Sequence, residues 1–103
     1  MRIEIIVAAD EPAVFFSSVR AAEMALEWID VRDGVYTALY GRAGECYEIG
    51  EDGRDVFIRP TSANDSDALL ALLRAFLRAV KVEFAEAEGL EALLSRCERY
   101  CIE

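Results

Sequence analysis

Residues 45–59 read Glu-Cys-Tyr-Glu-Ile-Gly-Glu-Asp-Gly-Arg-Asp-Val-Phe-Ile-Arg. Alternation on either side of Asp52-Gly53 makes two short strands, Glu45 to Ile49 and Arg54 to Arg59. Asp-Gly joins them tightly, because a type I′ turn needs positive φ at both central positions. A loop of that kind pairs Ile49 with Val56 and Tyr47 with Ile58. Upstream, Val35 to Tyr40 makes a third strand, joined through Gly41-Arg42-Ala43-Gly44, with Tyr36 and Ala38 continuing the same face. The opposite face mixes Val35, Leu39, Cys46 and Phe57 with Thr37, Glu48, Asp55 and Arg59. Pro60 to Asn64 ends this meander.

Working outward, Arg2 to Val7 sets Ile3, Ile5 and Val7 against Arg2, Glu4 and Ile6, a strand with one apolar face. Ala8 to Phe16 is a connection containing Pro12, and Val14-Phe15-Phe16 either extends a strand or plugs the space under a loop. Ser17 or Ser18 caps a helix running to about Trp28, with Val19, Ala22, Leu26 and Ile29 on one stripe. Asp33-Gly34 ends it. After the meander, Asp65 and Asp67 suit the positive end of a helix carrying Leu69, Leu72, Leu73, Phe76, Leu77 and Val80. Val82 to Phe84 is either a short strand or the end of that helix. Gly89 precedes a last helix in which Leu90, Leu93, Leu94, Cys97 and Cys101 share a stripe. The order β-α-β-β-β-α-α describes an α+β fold, an antiparallel meander with helices packed on it, over one domain of residues 1–103.

Composition narrows the chemistry. There are 20 acidic residues against 11 basic ones, a net charge of −9 and no histidine. The commonest general base and the commonest metal ligand are therefore absent. With 54% apolar residues, the chain has enough surface to bury against the entropy of folding. The charge repels nucleic acid and anionic membranes and speeds encounter with a basic surface. The opening residues are too short and too alternating for a signal peptide, and no apolar run approaches the roughly 20 residues of a membrane span. The expected setting is cytoplasmic and reducing, with Cys46, Cys97 and Cys101 as free thiols rather than a disulfide framework.

Cys97 and Cys101, four apart on a helical stripe, behave there as small hydrophobes, and without histidine no base activates them. No metal and no cofactor is expected. Glu51, Asp52 and Asp55 surround the hairpin turn without the order of a calcium loop. Glu83, Glu86, Glu88 and Glu91 form a second acidic run. Gly41 to Gly44 is a hairpin turn, not a phosphate loop. No nucleophile–base pair is present, so the chain is expected not to be an enzyme. Aromatic side chains rimmed by carboxylates are the usual make-up of a contact with an arginine- or lysine-rich protein. The candidate partner-binding residues are Glu48, Glu51, Asp52, Asp55, Phe57 and Tyr40.

The stretch Ala21-Ala22-Glu23-Met24-Ala25-Leu26-Glu27-Trp28-Ile29-Asp30-Val31-Arg32-Asp33-Gly34-Val35-Tyr36, then Tyr40-Gly41-Arg42-Ala43-Gly44, resembles the middle of small bacterial immunity proteins of polymorphic toxin systems. In those, a helix ending in Leu-Glu-x-Ile-Asp-Val-x-x-Gly leads into a hairpin. The helix Leu69-Leu70-x-Leu72-Leu73-Arg74-x-Phe76-Leu77 fits the same likeness. The resemblance implies an antitoxin-like protein that occludes a basic toxin, such as a nuclease, with carboxylates standing in for phosphates. The alternative is an acidic cytoplasmic chaperone of a secreted effector. The sequence leaves the oligomeric state open, a homodimer included.

Overall fold

Charge and alternation do not by themselves say how many layers cover the sheet. The computed structural model, which describes residues 2–103, puts helices on both faces. The elements are β1 (Ile5–Ala8), β2 (Ala13–Phe16), α1 (Val19–Ala25), α2 (Trp28–Arg32), β3 (Ala38–Tyr40), β4 (Glu45–Glu51), β5 (Val56–Asn64), α3 (Ser66–Ala79), α4 (Leu90–Cys97) and β6 (Cys101–Ile102). A single 3-10 turn, Glu98–Tyr100, joins the last two. The fold is α+β, with one sheet in the order β5-β4-β3-β1-β2-β6. All neighbours are antiparallel except β2 and β6.

The observed order has more strands than β-α-β-β-β-α-α. Of Ala8 to Phe16 only the middle is a connection: Val14-Phe15-Phe16 is strand, one of the two expected readings, and β2 returns antiparallel along β1, pairing Ile5 with Phe16 and Ala8 with Ala13. Nor has β1 a single apolar face. Ile3 and Ile6 point into a core under α3 and α4, with Phe15, Leu69, Leu73, Leu77, Leu93 and Leu94. Ile5 and Val7 point into a second core under α1 and α2, with Phe16, Ala22, Leu39, Val56 and Ile58. A strand buried on both faces needs an unbroken apolar run, and Ile5-Ile6-Val7 supplies it. Phe15, Phe76 and Tyr100 cross edge to face, with centroids 4.7 and 5.1 Å apart.

The helix expected from Ser17 or Ser18 to Trp28 is two pieces. Ser18 caps α1 by accepting from the Ala21 N–H, but Leu26 leaves helical backbone and α2 begins two residues later. In the meander, Asp52 to Asp55 forms a four-residue loop, so Glu51 faces Val56 and Ile49 faces Ile58, two positions from the expected register. Only Gly53 of the pair Asp52-Gly53 has positive φ, +83°, so the turn is not type I′. A slip of two preserves the face of every side chain, and Tyr47, Ile49, Val56 and Ile58 still share a core. Between β3 and β4 the expected face holds for Tyr36, which packs in the same core, and fails for Ala38. Leu39 faces Tyr47 and joins that core, whereas Ala38 packs on the other side.

Pro60 does not end the sheet, because β5 is an edge strand and continues to Asn64 past a bulge near Glu45 to Tyr47. The outward N–H of Ile58 is taken by the Glu23 carboxylate at 2.9 Å, and two residues on Pro60 has none to offer. Both devices blunt an edge that could recruit another strand. Gly44, at φ +91°, lies where a Cβ would come within 2.5 Å of the Ser66 backbone, so the β3–β4 turn seats directly on the start of α3. Asp65 caps that helix through the Ala68 N–H.

Val82 to Phe84 is neither strand nor helix. It follows a C-terminal cap in which the Lys81 N–H donates to the Arg78 carbonyl and the Val82 N–H to the Leu77 carbonyl. Lys81 holds φ +60°, where a side chain costs about 1–2 kcal/mol. Glycine there gives back about 0.5–1 kcal/mol in unfolded-chain entropy. Lys81→Gly is therefore expected to stabilise by about 0.5–1 kcal/mol, read as a rise in the urea midpoint at constant slope. A fall would mean that the lysine side chain contributes more than its backbone costs.

Candidate protein-binding site

α3 and α4 cover the sheet over β1, β2 and β3, and α1 and α2 cover the other side out to β5. Neither pair covers the side of the β4–β5 hairpin facing away from α1 and α2, where Glu48, Phe57 and Arg59 are exposed. Since Glu48 pairs with Arg59 and Gly50 with Phe57, these four residues share that bare side. Phe57 is 37% exposed, one of few large apolar side chains left open. The Arg59 guanidinium lies 5.9 Å from the centroid of its ring. A shallow hollow of about 200 Å³ is lined by Glu48, Ile49, Gly50, Glu51, Phe57 and Arg59.

The candidate residues separate by what they already hold. Glu51 accepts from the Gly53 N–H at 2.7 Å and meets Arg32 at 3.4 Å. Asp52 accepts from the N–H groups of Asp55 and Arg54, at 2.8 and 3.0 Å, and these bonds hold its carboxyl below the usual aspartate range. Both carboxylates therefore build the turn. The Glu48 and Asp55 side chains are exposed and take no hydrogen bond or ion pair among the described residues. Tyr40 does not belong here. It is 9% exposed, pairs with Cys46 and packs under α3 and α4, and burial raises its hydroxyl pKa.

The second acidic run is largely neutralised within the chain. Glu86 meets Arg78 at 3.2 Å and Arg74 at 4.0 Å. Glu88 takes both Nε and Nη2 of Arg96, at 2.7 and 2.9 Å, and Glu91 takes Arg42 at 2.9 Å. These arginines hold the carboxyls of Glu88 and Glu91 below the usual glutamate range. Only Glu83 of that run is without such a partner among the described residues. Sequence spacing treats the two clusters alike; the arginines that distinguish them stand outside the run, on α3, on α4 and in the β3–β4 turn.

Of the thiols, Cys97 is buried at the end of α4, and burial pushes it up to about 12. Cys101 is not on its helical stripe. The chain turns through Glu98–Tyr100, and Cys101 enters β6 beside Phe15, half-buried. Among the described residues no group of three or more cysteine or carboxylate side chains is arranged to hold a metal ion, and no helix is long and apolar enough to cross a membrane. Comparison with protein-family models, with curated proteins and with solved structures gave no match.

Proposed function

We propose that this chain is a non-enzymatic, antitoxin-like protein that binds and occludes a basic protein partner through the bare side of the β4–β5 hairpin. The observation that carries the reading is the coincidence there of an exposed aromatic ring with an uncommitted carboxylate, Glu48, with a second uncommitted carboxylate, Asp55, in the adjoining loop. From Glu45 to Arg59 the hairpin has five carboxylates and two arginines, in a chain of net charge −9. An apolar anchor gives the contact its lifetime, while the surrounding charge steers the encounter. Tyr40, lying in the core, takes no part, and Glu51 and Asp52 act by shaping the loop.

The test is capture from the source cell on immobilised wild-type protein and on Phe57→Ala, followed by expression of the captured protein alone and together with this chain. The expected partner is basic, is lost from the Phe57→Ala matrix, and arrests growth unless this chain is co-expressed. A captured partner that is acidic, or retained equally by Phe57→Ala, contradicts the proposed surface. A basic partner that is harmless when expressed alone contradicts the antitoxin role.

A further inference from the structure

The bare side of the hairpin also narrows what a basic partner must present, an inference that rests on the reading above. Four positions form a square there: Glu48 and Gly50 along β4, Arg59 and Phe57 along β5. Arg59 has Glu48 across the ladder and Phe57 beside it on its own strand. Gly50 has the same two neighbours in exchanged directions, Phe57 across and Glu48 along the strand. The corner over Gly50 is thus equivalent to the one that Arg59 fills, and it is empty.

Nothing in the backbone calls for glycine at this point. Gly50 is mid-strand without positive φ, and a Cβ there would meet nothing within 4 Å. Glycine weakens a strand interior, and one reason to find it there is close approach by another molecule. We infer that Gly50 holds open a seat for a guanidinium group of the partner, stacked on Phe57 and turned toward the Glu48 carboxylate. The planar, weakly hydrated guanidinium suits a ring face better than an ammonium does. Arg59, diagonal to Gly50 on the ladder, keeps its own guanidinium 5.9 Å from the centroid of the same ring, supplies the only like charge on the square and opposes the guest. A second copy of this chain is a poor occupant, because it brings another net charge of −9 to the contact.

The probes are tetra-arginine and tetra-lysine peptides, titrated into the full chain while backbone amide shifts are followed by NMR. With tetra-arginine, the largest shifts are expected at Gly50, Phe57 and Glu48, with a weaker response to tetra-lysine. Gly50→Val is expected to fold with an unchanged or higher Tm, since valine suits a strand, yet to bind tetra-arginine roughly ten-fold less tightly. Arg59→Gln is expected to bind it more tightly. Unchanged affinity in Gly50→Val overturns the seat. An equal response to tetra-lysine at the same residues overturns the guanidinium assignment and leaves a basic partner standing. Shifts centred on Glu83 to Glu91, or none at the hairpin, overturn both. A wild-type dimer that Gly50→Val abolishes would assign the face to a second copy and contradict the inference.

Discussion

Replacing Ile6 by alanine is expected to cost about 3 kcal/mol of folding stability. Strand alternation alone would place Ile6 with Arg2 and Glu4, toward water, where the same change costs almost nothing. The structure instead leaves it 0% exposed, opposite Tyr40 on one neighbour and Phe15 on the other, under α3 and α4. Removing its three outer carbons loses their transfer free energy and opens a cavity among Leu69, Leu73, Leu77, Leu93 and Leu94. Ile6→Val, which removes one carbon, should cost about 1 kcal/mol. Urea denaturation measures both. A loss below about 0.5 kcal/mol for Ile6→Ala would mean that this face of β1 is open to solvent.

The second large effect is at Glu98, which ties the segment before β1 to the end of α4. Its Oε2 accepts from the Ile3 N–H at 2.9 Å, while Oε1 lies 3.4 Å from Arg42 Nη1. Arg42 also donates to the Ile3 carbonyl at 2.6 Å, so both backbone polar groups of one residue are held by side chains from distant parts of the chain. The Arg42 side chain is only 12% exposed, and its buried Nε has no partner. Burial alone would favour losing its proton, but the bonds to Glu91 and Glu98 outweigh this and raise its pKa. Glu98→Ala leaves the Ile3 N–H unpaired and the guanidinium against the exposed Glu91 alone, at an expected cost of about 2 kcal/mol. Glu91→Ala is the control. Its side chain is 76% exposed, so a much smaller loss than that of Glu98→Ala is expected. Equal losses in the two variants would show that the pair acts only as surface charge.

These two sites mark where local pattern stops informing on the fold. The Asp52-Gly53 turn, the Ser18 cap and the apolar arc of α3 are local signals, and each lies where its residues put it. Even there the register moved by two, because the Asp52 carboxylate accepts from the N–H groups of Arg54 and Asp55 and lengthens the loop. What went unseen depends on distant packing. The β1–β2 hairpin turns through Ala9 to Pro12, where Asp10 and Pro12 mark a break in the strand but no glycine marks a tight hairpin. Both faces of β1 are covered, and that erases the alternation by which a strand shows its inner side. Leu26 breaks the first helix with no proline or glycine to mark it. Cys101 keeps helical spacing with Leu90, Leu94 and Cys97 although the helix ends before it, a coincidence that periodicity cannot separate from a stripe.

The candidate site was legible in part for the same reason. Glu48, Asp55 and Phe57 cluster within one hairpin, so their proximity follows from a single turn. That Glu48 and Asp55 remain uncommitted while Glu86, Glu88 and Glu91 are neutralised depends on Arg74, Arg78, Arg96 and Arg42. Gly50 carries no chemistry in sequence and acquires meaning only when Phe57 stands opposite it.

The most direct measurement is the association rate of the captured basic partner with two charge-neutralised proteins, at low and moderate salt. One carries Glu48→Gln and Asp55→Asn, the other Glu86→Gln and Glu88→Gln. If the bare hairpin face is the binding surface, the first associates more slowly than wild type and with a flatter salt dependence, because rim charges act mainly on encounter. The second should associate at the wild-type rate. A slowed second protein beside an unaffected first would contradict the account.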